Sequence, residues 1–263
     1  MRGCANVNVS SGRRATDGQK EQGLTVVQKS ASVFKQGAWL ALVVVTTAAL
    51  LTHGRQWQLP DRYNPWAPLS IAEPPDWLTR YKLERLDASP ALCLSVLEQT
   101  TVQFKPVADR ATGSDCGFDN AVRIERTSME VSSPFTLSCP AAVSLALWER
   151  HALQPTAQTM LGSRVRRMDH YGSYACRNVY GREGGQRSQH ATANALDVAG
   201  FVLEDGRRIS VAAHWGGDDE RAAFLRRIHN QACGFFDSVF GPEYNAAHAD
   251  HLHLDRGPYR LCR

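Results

Sequence analysis

Three of the chain's nine histidines, His248, His251 and His253, fall within six residues. Imidazole moves protons near neutral pH and binds transition metals. Strand side chains alternate between faces, so in a strand His251 and His253 point the same way. The isolated histidines (His53, His151, His170, His214 and His229) read as surface or satisfied core residues. A second cluster over residues 188–197 (SQHATANALD) sets His190 and Asp197 seven apart around small residues. A catalytic zinc ion needs three N or O ligands and an open position for water. His190, Asp197 and His253 supply two imidazoles and a carboxylate, and the chemistry expected of them is hydrolysis by zinc-activated water.

A scaffold must hold those groups. Residues 197–203 and 207–212 flank Glu204-Asp205-Gly206, a hairpin signature. Residues 251–255 (HLHLD) alternate, leucines on one face and His251, His253 and Asp255 on the other; Asp255 reads as a surface acid, the alternative being a partner to a ligating histidine. Ser89-Pro90 opens a helix through about Glu98. Ser138-Cys139-Pro140 opens another that ends near Glu149-Arg150. Asp218 caps a third, running to about Ala232 with Gly234 at the C′ position. The expected fold class is α+β, a small, mainly antiparallel sheet with flanking helices. Six cysteines (Cys93, Cys116, Cys139, Cys176, Cys233 and Cys262) form no C-x-x-C pair, so up to three disulfides and an oxidising compartment are expected. Fifteen pairings are open.

The net charge is +4. Residues 1–37 carry six basic and two acidic side chains, and the remainder is balanced at 24 of each. The excess therefore belongs to an N-terminal tail, expected on the cytoplasmic side. An uncharged run, residues 38–52, follows it. Its length fits a secretory signal or a short span. No A-x-A-like cleavage site follows, and Lys35, Arg55 and Trp39 can lengthen the span by snorkelling and interfacial anchoring. An uncleaved signal anchor over residues 38–55 in the inner membrane is expected, with the body in the periplasm. Residues 56–80, rich in Pro and Trp, read as a linker whose aromatics pack on a domain at 81–263. Arg164, Arg166, Arg167, Arg207 and Arg208 form no long run, so nucleic-acid binding is not expected.

SQHATANALD resembles the S-x-H-x-x-G-x-A-x-D motif of LAS-type zinc peptidases, a group that includes D-Ala-D-Ala carboxypeptidases, murein endopeptidases and the hedgehog signalling domain. HADHLH, residues 248–253, has the H-x-x-H-x-H spacing of penicillin-insensitive murein endopeptidases. Residues 82–263 are more closely similar to the bacterial extensin-like C-terminal family, on Tyr174-Ala175-Cys176-Arg177, the SQHATANALD run and the segment from Cys233-Gly234-Phe235-Phe236 to His253. The resemblance implies a LAS/hedgehog-type core with zinc on His190, Asp197 and His253. It implies His251 as general base or transition-state stabiliser, with His248 assisting. Arg177 would face substrate, the competing reading being a structural ion pair, and Ser188 would hold the ligand loop. Two positions depart from the pattern. Ala193 stands where the motif has glycine. Asp250 replaces the Glu of a Glu-x-x-His pair, which leaves the identity of the base open. The expected function is a membrane-anchored periplasmic zinc hydrolase cutting peptide bonds of peptidoglycan, in cross-links or at stem-peptide ends. The alternative is a cell-wall binding module that keeps fold and metal without turnover.

Overall fold

In the computed structural model, residues 36–51 and 59–263 are described. The apolar run forms a helix, α1, over residues 36–51, with every residue exposed. At 1.5 Å per residue it extends about 24 Å, against about 30 Å for a bilayer core. Among the described residues no helix is long and apolar enough to cross a membrane. The basic tail up to residue 35 and residues 52–58, which include the end of the expected anchor and the first part of the linker, lie outside the described residues.

Pro60–Arg263 form a separate compact unit. Residues 60–80 fold as part of it, but not through their tryptophans. Trp66 and Trp77 are 75% and 77% exposed, whereas Leu69, Ile71 and Leu78 are buried. Asp76 Oδ1 accepts the Leu78 and Thr79 N–H groups and opens α2 (Thr79–Asp87). Ser89 and Pro90 open α3 (Pro90–Leu97) as expected, although the Ser89 hydroxyl makes no cap bond.

A three-stranded antiparallel sheet follows, in the order β1 (Gln103–Val107), β4 (Ala121–Arg126), β6 (Phe135–Ser138). The hairpin β2 (Arg110–Ala111) and β3 (Gly117–Phe118) projects between the first two. The short β5 (Glu130–Val131) joins the larger sheet. Ser138 Oγ accepts from Ala141 N–H and caps α4 (Cys139–Trp148). This helix does not stop at Glu149-Arg150. It passes through a π-turn (Glu149–Leu153) into α5 (Gln154–Leu161). Pro155 cannot donate to the preceding turn, and the ladder widens just before it.

The remaining elements are β7 (Val165–Gly172), β8 (Ala195–Leu203), β9 (Arg208–Ser210), α6 (Val211–His214), α7 (Glu220–Ala232), β10 (Ser238–Phe240), β11 (Leu252–Asp255) and β12 (Leu261–Cys262). They complete a mainly antiparallel sheet in the order β12-β10-β11-β8-β7-β5. β9 pairs with the C-terminal half of β8, beyond the end of β11. At that junction a Cβ on Gly200 would lie 2.3 Å from the Ile209 carbonyl oxygen, so only glycine lets β9 approach. The cap of α7 is Asp219, not Asp218; its carboxylate accepts from the Arg221 and Ala222 N–H groups. Gly234 is not left-handed.

Helices α4, α5 and α7 cover one face of the large sheet, where Trp148, Phe201 and Phe224 are fully buried and their rings meet. The Trp148 indole N–H donates to the Ile228 carbonyl at 3.1 Å. Three disulfides staple the body: Cys93–Cys139, Cys116–Cys176 and Cys233–Cys262. The α+β class, the antiparallel sheets with flanking helices and the disulfides match expectation.

Candidate metal centre

Strand pairing assembles the site. His253 on β11 lies directly opposite Asp197 on β8, and Leu252 and Leu254 are fully buried on the other face of β11. Alternation therefore turns His253 and Asp255 together to the polar side. His190 comes from a 3-10 turn (Gln189–Thr192) just before β8, and Ser188 Oγ accepts the His190 N–H at 3.3 Å. The turn ends on Ala193 at φ 53°, in the left-handed region. Glycine adopts that region freely, whereas the Cβ of Ala193 costs about 1 kcal/mol there. Asn194 then clamps the loop. Its side chain accepts from Ser138 Oγ at 2.6 Å and donates to the Arg256 carbonyl.

His190, Asp197 and His253 are all buried and can hold a metal ion. His190 Nε2 lies 3.1 Å from Asp197 Oδ2 and 3.2 Å from His253 Nδ1, which is 2.9 Å from Asp197 Oδ1. The outward nitrogens are engaged as well. His190 Nδ1 meets the Ser173 carbonyl at 3.0 Å, and His253 Nε2 meets Asp255 Oδ2 at 2.9 Å. Asp255 Oδ1 accepts the Gly257 N–H at 2.8 Å. A carbonyl and a carboxylate only accept, so each outward nitrogen carries the hydrogen and each inward nitrogen a lone pair. Two lone pairs and a carboxylate thus converge where only a cation or a proton reconciles them. Without a metal the proton serves. Burial pulls the His253 pKa down, but hydrogen bonds to Asp197 and Asp255 outweigh it and raise the value to about 9. Burial opposes ionisation of Asp197 too, yet bonds to His190 and His253 hold its carboxyl far below the usual range.

His251, His248, Arg177 and Ser188 line the same cleft, of about 290 Å³. His251 Nε2 faces Asp197 Oδ1 at 3.4 Å, and its Nδ1 bonds Asp250 Oδ1 at 2.8 Å. Asp250 therefore stands behind His251 and outside the cleft lining, and His251 sits beside the candidate ligand Asp197. His248 Nδ1 bonds Asn245 Oδ1 at 2.9 Å. Burial first, then electrostatic repulsion led by His253, pushes His248 down to about 4, so it is neutral. Arg177 is exposed at the rim and makes no salt bridge among the described residues. The neighbouring Cys116–Cys176 disulfide and the Ser188 N–H bond to the Arg177 carbonyl (3.1 Å) fix its loop.

Asp255 corrects an expectation, being 4% exposed and bonded to a candidate ligand. Its place in the 251–253–255 alternation was the available signal. The Ser173 carbonyl, Tyr180 and Asn245 also shape the site, and no motif marks them.

A family model described as Extensin-like protein C-terminus matches residues 91–263. No curated protein and no solved structure matches the chain.

Proposed function

The chain belongs to the family of extensin-like protein C-termini, and from that premise we propose that it is a zinc-dependent hydrolase of peptide bonds in peptidoglycan, anchored to the inner membrane with its body in the periplasm. The observation that carries the reading is the pair of imidazoles whose outward hydrogens are already committed, leaving two nitrogens and a carboxylate converging on one point. That donor set suits zinc. The motif resemblance to LAS-type peptidases gives the substrate class, and the disulfides favour an oxidising compartment.

A zinc ion held by His190, Asp197 and His253 supplies Lewis acidity, bringing the pKa of a water to about 7 and polarising a scissile carbonyl. The chain's own residues do the rest. Asp250 fixes the ring of His251 and keeps its hydrogen on Nδ1, so Nε2 presents a lone pair into the cleft. His251 can take a proton from the attacking water at Nε2 and return it to the leaving amine. Neutral His248 adds a second imidazole beside it, their ring centres 5.2 Å apart. Arg177, which has no salt-bridge partner among the described residues, offers its positive charge to a substrate carboxylate or a developing oxyanion.

Metal analysis of the purified full-length chain should find one zinc per molecule, and the chain should cleave purified muropeptides in a chelator-sensitive way. His190→Ala and His253→Ala should each lose zinc and cleavage; retention of both overturns the reading. A zinc-loaded chain that binds sacculi and releases no fragment would instead mark a binding module.

A further inference from the structure

The cleft over the candidate metal centre is bridged from wall to wall. One wall carries a loop over residues 178–187, pinned at its base by the Asn178–Arg187 bridge and by Arg187 bonding Asn178 Oδ1 (2.8 Å) and the Ser114 carbonyl (2.9 Å). Just inside that base a 3-10 turn (Val179–Gly181) holds Tyr180 at φ 58°, followed by Gly181 at φ 68°. The opposite wall is the connection between β10 and β11. There Asn245 Nδ2 donates to the Tyr180 hydroxyl at 3.0 Å, and Tyr244 lines the same cleft. Asn245 Oδ1 also accepts from Ala247 N–H and meets His248 Nδ1, so one amide joins Tyr180 to the cleft histidine His248.

The two walls differ in stiffness. Tyr244 stacks on Phe240 with ring centres 4.2 Å apart and planes 12° apart, and Phe240 stacks on His253. The Tyr180 side carries Gly181, Gly184 and Gly185 and holds a non-glycine residue in the left-handed region, which the backbone adopts only when contacts hold it there. If the bridge opens, this is the side that moves.

A polymer cut in mid-chain must enter and leave its site; a chain end need only enter. The bridged cleft, at about 290 Å³, lies at the small end of ligand sites. We propose that Tyr180 is a specificity-determining latch: bonded to Asn245, it confines the cleft to the free ends of peptides, so that the reaction is terminal trimming of stem peptides and not the cutting of cross-links. The inference rests on the peptidase reading above and names which substrate that site takes.

The test uses the zinc-loaded full-length chain, Tyr180→Phe, which removes only the hydroxyl, and Tyr180→Gly, which also relieves the backbone. The first readout is the rate at which excess EDTA strips zinc. Both variants should lose zinc roughly fivefold faster or more, the factor expected for one lost hydrogen bond. The second is the cleavage ratio between an uncross-linked pentapeptide muropeptide and a cross-linked dimer. Wild type should favour the pentapeptide, and the variants should shift the ratio at least tenfold towards the dimer. Equal stripping rates with an unchanged ratio overturn the latch and leave the peptidase reading standing. Faster stripping with neither muropeptide cut supports Tyr180 as an access gate and overturns the peptidase reading with the substrate choice built on it. A wild type that prefers the cross-linked dimer overturns the latch outright.

Discussion

Asp255 is the residue on which the candidate site leans most without touching its centre. It receives the outward hydrogen of His253 and is itself oriented by the Gly257 N–H. Asp255→Asn keeps size and shape but replaces one acceptor oxygen with an amide donor, so the tautomer of His253 is no longer imposed. Zinc affinity should fall about 10- to 100-fold in competition with a chromogenic chelator, while the thermal transition stays cooperative. Asp250→Asn acts on His251, which is not among the candidate ligands. It should leave zinc content unchanged and lower kcat for muropeptide cleavage about tenfold or more. The ligand candidates are legible because they sit in two compact motifs, whereas Asp255 is legible only as one of two alternatives, because an acid near a chain turn is ordinarily solvated. The Ser173 carbonyl could not be foreseen, since any residue offers a backbone oxygen and only tertiary structure selects one.

At the scale of elements, the π-turn between α4 and α5 buries a carboxyl group. Glu149 is 1% exposed; its Oε2 accepts from Ser128 N–H and Oγ–H, and its Oε1 has no partner. Burial dominates the Ser128 and Thr127 hydrogen bonds and lifts its pKa from 4.5 to about 7. Between those values the folded chain holds a proton that the unfolded chain has released. Stability from this group is therefore full below about pH 4.5 and is lost as pH rises through 7. Glu149→Gln removes the titration, and it should stabilise the protein by up to about 3 kcal/mol at pH 8 and by almost nothing at pH 4.5, read as Tm at the two pH values. Elements with local signatures were legible: Ser138 before Cys139-Pro140, the Glu204-Asp205-Gly206 turn, and the HLHLD alternation. Asp218 and Asp219 are adjacent and chemically alike, so local chemistry cannot choose the cap. The continuation beyond Glu149-Arg150 was hidden because a charged pair before a proline looks like a helix end.

Across the whole body, the disulfides tie the loops that frame the cleft to the packed interior. Cys116–Cys176 closes a separation of 60 residues and links the β2–β3 hairpin to the Arg177 loop. Cys176 is exposed, whereas Cys93 and Cys139 are fully buried. Mild reductant should open Cys116–Cys176 before Cys93–Cys139, as thiol mapping by mass spectrometry will show. On loop-closure entropy, replacing the pair by serines should cost about 4 kcal/mol. Cysteine number and spacing announced the staples, but pairing is a property of the folded chain.

The register that sets Asp197 opposite His253 gives the metal candidates a second meaning. A slip of one residue between β8 and β11 would swing one of them to the far face of the sheet. His190 and His253 lie sixty-three positions apart along the chain, so bringing them together carries a large loop-closure entropy cost. A cation held there would bind only the correctly aligned pair, and so would act as a proofreader of the strand alignment, rewarding the one pairing that also buries Leu252 and Leu254.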